Sequence, residues 1–162
     1  MSTVLVDAAY HKELIDGREI EKPLPKNLHA FIQTFLGAAL LARLPRSYRA
    51  ATELNVVCGS DRLIPDVLVA ERSARYENGD LADPPVLAVE IMSPGQDLSE
   101  LFDKCERLHK TGTPQCWVIW PERRQAWIFT PVSLEAAKEK LTATIGDSSL
   151  EISLAEMWAE LD

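Results

Sequence analysis

The most informative segment is Pro85-Val86-Leu87-Ala88-Val89-Glu90-Ile91-Met92-Ser93-Pro94. An apolar run of this length between two prolines predicts a strand buried on both faces of a sheet. Glu90 is its one charged residue. Burying even a neutral polar group without a partner costs about 2–7 kcal/mol, so a buried Glu90 needs a metal ion, a cation or hydrogen-bond donors. The alternative is that the side chain of Glu90 reaches solvent at the end of the strand.

The composition predicts one globular domain. The chain has 162 residues, 46% of them hydrophobic and 26% charged, which is ordinary for a domain of this length. Its three cysteines are odd in number and lack metal-site spacing, which favours a reducing, cytoplasmic setting. No run is apolar enough to cross a membrane, and residues 1–10 carry an acidic residue where a signal peptide is basic.

The net charge of −8 argues against nonspecific binding to nucleic acid, because Lys and Arg supply most of that affinity. Residues 132–162 hold seven acidic residues and two lysines, so most of the excess lies in this C-terminal tail. The rest of the chain is close to neutral. Charge alone therefore neither indicates nor excludes a nucleic-acid partner.

The order of predicted elements indicates a mixed α+β domain, with a mixed central sheet flanked by helices and an N-terminal hairpin. We expect a core over residues 13–130 and an acidic tail over 131–162. In chain order we predict a hairpin turning at Asp16-Gly17, a helix capped by Asn27 and ended by Pro45, strands at 54–58, 66–70 and 86–92, a loop at 71–84, a helix from the cap Asp97 to Gly112, a hairpin at 116–129, a helix at 134–140 and a final helix capped by Ser153.

Asp66 begins one of these apolar strands, and Glu90 lies late in another. If the two strands pair antiparallel, the two carboxylates meet. Two carboxylates in an apolar setting repel each other unless a divalent cation lies between them, and Mg²⁺ accepts one or two carboxylates with several waters. This chemistry supports metal-assisted hydrolysis of a phosphodiester bond.

The sequence resembles the Uma-type restriction endonuclease family of the PD-(D/E)XK nuclease superfamily. The resemblance runs in order from about Glu13 to Phe129. It implies a restriction-endonuclease-like core, cleavage of DNA that depends on Mg²⁺ or alternatively Mn²⁺, and, by analogy, a homodimer. The matching segments are Glu13-Leu14-Ile15-Asp16-Gly17-Arg18-Glu19, His29, Pro65-Asp66-Val67, Val89-Glu90-Ile91-Met92-Ser93-Pro94, Lys104, Gly112-Thr113-Pro114 and Trp117.

The resemblance implies that Asp66 and Glu90 are metal ligands and that Lys104 is the catalytic lysine. The superfamily usually has its lysine two residues after the glutamate, where this chain has Met92. The family supplies the lysine from the following helix instead, where it would orient the attacking water and stabilise charge on the phosphate. The alternative is a surface lysine whose stem lies along the apolar face.

Two further residues match less specifically. Glu19 matches an acidic residue that would be a third metal ligand or an acid near the water, and the alternative is an exposed hairpin glutamate. His29 matches a histidine that would contact phosphate, and the alternative is a structural role. The chain departs from the family at Leu108, where a tyrosine is usual, and at Cys116. Both departures lie at supporting positions rather than at the metal ligands that the resemblance implies.

A second function fits the same sequence: a catalytically inactive domain of this fold, acting as a dimeric interaction or regulatory module. The acidic charge and the missing tyrosine favour it, while Asp66, Glu90 and Lys104 favour the enzyme. Trp117, Trp120 and Trp127 in the second hairpin indicate cross-strand packing or a dimer surface more than base stacking.

Overall fold

The structure, a computed structural model, describes residues 11–162. The prediction about residues 1–10 lies outside this range. The described elements are β1 (Lys12–Ile15), β2 (Arg18–Glu21), α1 (Asn27–Arg43), β3 (Tyr48–Thr52), β4 (Val56–Cys58), β5 (Asp61–Leu63), β6 (Val67–Glu71), β7 (Tyr76–Glu77), β8 (Asp80–Leu81), β9 (Leu87–Ile91), α2 (Leu98–Lys110), β10 (Cys116–Trp120), β11 (Gln125–Thr130), β12 (Ser133–Ala136), β13 (Lys140–Ile145), β14 (Ser148–Ser153) and α3 (Leu154–Ala159).

Strand β9 lies inside a six-stranded mixed sheet of order β12-β11-β10-β9-β6-β3. All five of its residues are buried, as the apolar run predicts. It pairs parallel with β10 and antiparallel with β6, while the remaining neighbours are antiparallel. The predicted class, a mixed sheet flanked by helices with an N-terminal hairpin, is confirmed.

The two faces of this sheet are covered by different elements. Helices α1 and α3 and the β13–β14 hairpin pack on one face. Helix α2 packs on the other face, together with a second sheet of order β2-β1-β5-β4-β8-β7. Apolar residues of α1 and α2 meet the two faces at helical spacing, namely Ile32, Leu36 and Leu40 on one and Leu101, Cys105 and Leu108 on the other.

Several local predictions are confirmed. Asp16 and Gly17 both have positive φ, 51° and 77°, as their two-residue turn requires. Asp97 caps α2 by accepting from Ser99 N, and Ser153 caps α3 by accepting from Glu156 N. The second hairpin forms as β10 and β11. Among residues 11–162, no helix is long and apolar enough to cross a membrane.

The helix predicted at 134–140 is wrong. Ser133–Ala136 pairs with β11 as β12, and Lys140–Ile145 begins the β13–β14 hairpin. Residues of β13 alternate between exposed and buried, which is the period of a strand rather than a helix. The Ala and Glu residues there have helical propensity, but pairing with existing strands overrides it. The C-terminal segment thereby contributes Leu141, Ile145 and Ile152 to the core.

Three smaller differences concern boundaries and short strands. Asn27 is the first residue of α1 rather than its cap, which is Lys26 without a side-chain capping bond. Segment 71–84 is not wholly a loop, because it contains the short strands β7 and β8. Strand β3 was not predicted, because an edge strand of partly exposed residues lacks a clear apolar alternation.

Trp117 is a core residue. It is fully buried, and its Nε1 donates to the Thr142 carbonyl at 3.0 Å. Trp127 packs edge to face on Phe102, with ring centroids 5.8 Å apart. These contacts give Trp117 and Trp127 a packing role, which the sequence favoured over base stacking.

Candidate active site

The pairing of β6 with β9 places Asp66 beside Glu90. The register sets Val67 opposite Val89, and continuing it by one pair sets Asp66 opposite Glu90. Asp66 N donates to the Val89 carbonyl at 3.0 Å, and the Asp66 side chain accepts from Ile91 N at 2.6 Å. Both carboxylates are buried, with 1% and 2% exposure. The glutamate therefore does not reach solvent.

The surroundings of Glu90 disfavour the ionised form of its side chain. Among residues 11–162, no donor reaches its buried Oε1 atom. Burial raises the pKa of Glu90 to about 8, and the charge of Lys104 opposes this rise while Asp66 adds to it. The side chain is therefore mostly protonated at pH 7. A cation placed beside it would favour the charged form.

Lys104 reaches the same site from α2. Its side chain is 9% exposed, and Nζ lies 2.5 Å from Glu13 Oε1. Burial alone would lower the pKa of Lys104, but the carboxylates of Glu90 and Glu13 outweigh it, so the pKa lies above its ordinary value. The ammonium is thus charged and directed at the sheet. This is not the geometry of a surface lysine.

The structure places Glu13, rather than Glu19, in the site. Glu13 is 1% exposed. Glu19 lies on the opposite face of the hairpin, with its side chain 70% exposed and 3.4 Å from Lys12 Nζ. The register explains the difference, because Glu13 pairs with Ile20 and Glu19 pairs with the next residue along β1. A two-residue Asp-Gly turn sets this register, so the alternation of faces was the available signal.

Lys22 and His29 contact the carboxylate of Asp66. Lys22 Nζ lies 2.7 Å and His29 Nε2 lies 3.1 Å from Asp66 Oδ1, although neither contact has hydrogen-bond geometry. Burial alone would raise the pKa of Asp66, but His29 and Lys22 outweigh it and lower the pKa below its ordinary value. The structure thus brings His29 to the site. The sequence analysis missed Lys22, because nothing in its local pattern distinguishes it from a surface lysine.

The main chain of Ile64 contacts both Glu13 and Lys22. Its N–H donates to Glu13 Oε2 at 2.9 Å, and its carbonyl accepts from Lys22 Nζ at 2.7 Å. Ile64 stands just before the Pro65-Asp66 motif. The segment between β5 and β6, which carries Asp66, therefore also contacts Glu13 and Lys22.

A cleft of about 490 Å³ opens beside this cluster, between the β1–β2 hairpin and the first half of α2. Glu13 and Lys104 form part of its wall. Carboxylates predominate among its charged residues, which are Glu13, Glu21, Glu100, Asp103 and Lys104. The cleft therefore attracts cations and repels phosphate until a cation is bound.

Arg107 fastens the hairpin to α2. Its guanidinium contacts Asp16 at 2.9 Å, Asp61 at 3.0 Å and, within the helix, Asp103 at 2.8 Å. These aspartates belong to the β1–β2 turn, to β5 and to α2 itself. Arg107 therefore attaches the turn of the hairpin that carries Glu13 to the helix that carries Lys104.

We expect Arg107→Gln to loosen the hairpin. Amide hydrogen exchange should become faster in residues 12–21, because the turn loses its attachment to α2. If the cleft is a nuclease site, cleavage should fall about tenfold as Lys104 and Glu13 drift apart. Arg124→Gln is the matched control, because Arg124 pairs with Asp162 near the C-terminus. Unchanged exchange in the hairpin would contradict this role for Arg107.

Comparison with known proteins gives the family of this chain. The family Uma2, described as "Putative restriction endonuclease", matches residues 4–159. The chain belongs to the Uma2 family. A similar fold is seen in the crystal structure of "a putative nuclease belonging to DUF820" from Anabaena variabilis ATCC 29413. That protein is 26% identical, with a TM-score of 0.80, over 93% of this chain and 91% of that one. No curated protein matches the sequence.

The restriction-endonuclease family implies a divalent metal ion, and Asp66 and Glu90 are the facing carboxylates of the candidate site. Among residues 11–162, no three His, Cys, Asp or Glu side chains are grouped to hold an ion by themselves. Asp66 and Glu90 nevertheless fit a hard cation, because Glu90 Oε1 lacks a donor from the described residues and Asp66 Oδ1 lacks an aligned one. Mg²⁺ commonly takes one or two carboxylates and completes its shell with water.

Proposed function

We propose that this Uma2 protein is an endonuclease that hydrolyses phosphodiester bonds in DNA and depends on Mg²⁺ or Mn²⁺. The observation that carries the proposal is the buried Asp66–Glu90 pair, in which Glu90 Oε1 has no donor among the described residues. An unsatisfied carboxylate in the core costs free energy, so its retention favours a ligand. We further propose that residues 1–162 act as one nuclease domain and work as a homodimer.

The roles of the side chains follow from their positions. Asp66 and Glu90 would hold the ion, which supplies Lewis acidity toward water and phosphate. Lys104, held charged beside Glu13, would stabilise negative charge on the phosphate. Glu13 would position the Lys104 ammonium through their 2.5 Å contact. His29 would keep the Asp66 carboxylate oriented through its contact with Oδ1.

The charge of the cleft supports a requirement for cations. DNA approaching the hairpin and α2 meets the carboxylates of Glu21, Glu100 and Asp103 before it meets Lys104. Unscreened repulsion of this kind slows association. A divalent ion would reverse the local charge where the phosphate must lie. Cleavage should therefore require the ion for binding of DNA as well as for chemistry.

Lys104→Met tests the proposal. The variant keeps the length and apolar stem of the side chain but removes the charge that faces the phosphate. We expect cleavage of plasmid DNA with Mn²⁺ to fall by about 10²–10³-fold, the usual cost of losing one such group. Binding of Mn²⁺, measured by calorimetry, should persist because Asp66 and Glu90 remain.

Lys110→Met is the matched control, because Lys110 lies on the exposed end of the same helix. The proposal is wrong if wild-type protein cleaves neither supercoiled, linear nor single-stranded DNA with either ion. It is also wrong if Lys104→Met cleaves as fast as Lys110→Met.

The alternative is an inactive interaction module, and one observation favours it. Lys22 and Lys104 already pair with Asp66 and Glu13, so much of the buried charge is compensated within the chain. Thermal melting separates the two functions, since a ligand that binds the folded state raises its stability. A melting temperature that does not respond to millimolar Mg²⁺ or Mn²⁺ would favour the module.

A further inference from the structure

The ammonium of Lys22 is enclosed by oxygen atoms. The residue is 7% exposed. Its Nζ donates to Glu53 Oε2 at 2.8 Å and to the Ile64 carbonyl at 2.7 Å. A third contact, at 2.7 Å, is the ion pair with Asp66 Oδ1. We call these three oxygens the Lys22 cage.

The cage has the chemistry of a metal site. Two carboxylates and a main-chain carbonyl are the ligands that Mg²⁺, Mn²⁺ and Ca²⁺ prefer. The Lys22 ammonium carries a single positive charge, and it contacts the three oxygens through two hydrogen bonds and one ion pair. Lys22 therefore stands where a hard cation would be stable if the lysine were absent.

The surrounding residues hold the cage in place without a metal. Gln33 Nε2 donates to Glu53 Oε1 at 2.9 Å and to the Asp66 carbonyl at 2.8 Å. Glu53 has a φ of 53°, in the left-handed region that side-chain-bearing residues seldom adopt. Backbone strain of this kind is retained at functional sites, where the surrounding structure enforces it.

The net charge of the whole site is balanced by one divalent ion. Glu13, Glu53, Asp66 and Glu90 supply four carboxylates, while Lys22 and Lys104 supply two ammonium groups. When a bound ion holds Glu90 in its ionised form, the four carboxylates and the two ammonium groups sum to a charge of −2. One Mg²⁺ neutralises it. Two such ions would leave an uncompensated positive charge in a buried site.

We propose that the Lys22 ammonium takes the place of a second metal ion, so that the site binds a single divalent ion at Asp66 and Glu90. Lys22 stays in its cage when that ion binds, and it supplies fixed positive charge to the Asp66 side of the site. The position of the single ion at Asp66 and Glu90 rests on the function proposed above. The Lys22 cage rests only on the contacts of Lys22.

Counting bound Mn²⁺ tests this proposal. By equilibrium dialysis with electron paramagnetic resonance detection, the wild-type protein should bind one ion per chain. Lys22→Ala should bind two, because the emptied cage gains an ion. The double variant Lys22→Ala/Glu53→Gln should return to one, because the cage loses a carboxylate. Lys140→Ala is the control, since the exposed Lys140 pairs with Glu151 at the protein surface.

A second measurement covers the case in which Lys22→Ala does not fold. In the wild-type protein, the ¹⁵N-labelled ammonium signal of Lys22 should stay slowly exchanging when Mg²⁺ is added to saturation. Loss of this protection means that Mg²⁺ displaces Lys22, and it overturns the proposal.

The results separate this proposal from the proposed function. Two ions in the wild-type protein, or no additional ion in folded Lys22→Ala, overturn the role of Lys22 and leave the nuclease intact. No ion in the wild-type protein counts against the nuclease. In that case, an ion that Lys22→Ala binds and Lys22→Ala/Glu53→Gln does not bind would still show that Lys22 occupies a metal site.

Discussion

Asp66→Asn should abolish both the binding of Mn²⁺ and the cleavage of DNA. The substitution keeps the shape of the side chain but removes the charge on the oxygen nearest Lys22 and His29. Outer partners of a metal site already contribute about 10–100-fold to affinity or activity. We therefore expect the loss of a direct ligand to reduce cleavage by at least about 100-fold. Calorimetry and a plasmid assay measure the two effects.

The same substitution should also destabilise the protein. Removing one partner of a buried ion pair costs about 3–5 kcal/mol, because the other charge stays buried without compensation. Here the Lys22 ammonium keeps Glu53 as a charged partner, so we expect a cost at the lower end of this range. Urea denaturation gives this value directly, and circular dichroism shows whether the variant is folded under the conditions of the assay.

Asp83→Asn is the matched control for Asp66→Asn. Asp83 is a partly exposed carboxylate that pairs with Arg75 at the surface. Its replacement should leave metal binding and cleavage unchanged. If folded Asp66→Asn binds Mn²⁺ as tightly as Asp83→Asn, then Asp66 is not a metal ligand in this protein.

The second large effect concerns Glu90 and pH. Burial raises the pKa of Glu90 from its ordinary value near 4.5 to about 8. Between these values the folded protein holds a proton that the unfolded chain has released. Its contribution to stability is therefore fully present below about pH 4.5 and is lost as pH rises toward 8. The loss is up to about 1.4 kcal/mol for each pH unit in this window.

Urea denaturation between pH 5 and pH 9 measures this slope. Glu90→Gln should flatten it, because the amide is neutral at every pH, and should make the protein more stable than wild type near pH 8. Glu122→Gln, at an exposed turn position, should keep the wild-type slope. Equal slopes in the wild-type protein and Glu90→Gln would show that Glu90 is not the titrating group.

Binding of a divalent ion should lower the pKa of Glu90. A divalent ion at Asp66 and Glu90 favours the carboxylate, so binding below pH 8 releases a proton. The affinity for Mn²⁺ should therefore rise about tenfold for each pH unit in this range. Calorimetry in buffers of different ionisation enthalpy detects the released proton. The weaker binding that we expect of Glu90→Gln should occur without this proton release.

Sequence reasoning located the strands of the site better than the side chains that complete it. Asp66 and Glu90 are conspicuous because each stands in an apolar run. Glu13 was passed over in favour of Glu19, although the register of the Asp-Gly hairpin sends the two glutamates to opposite faces. Lys22 gave no signal, because a lysine between a strand and a proline looks like any surface lysine until its neighbours are known.

The amino-acid sequence alone determined the features whose causes are local. An apolar run predicts β9, an Asp-Gly pair predicts its turn, and Asp97 and Ser153 predict caps, because each depends on residues close in the chain. The tertiary structure decided the rest. Strand β12 forms where helical propensity is present, since β11 offers hydrogen bonds to it. The Lys22 cage exists only because folding brings Glu53, Ile64 and Asp66 around one ammonium group. No local sequence pattern predicts these contacts, because the residues lie far apart in the chain.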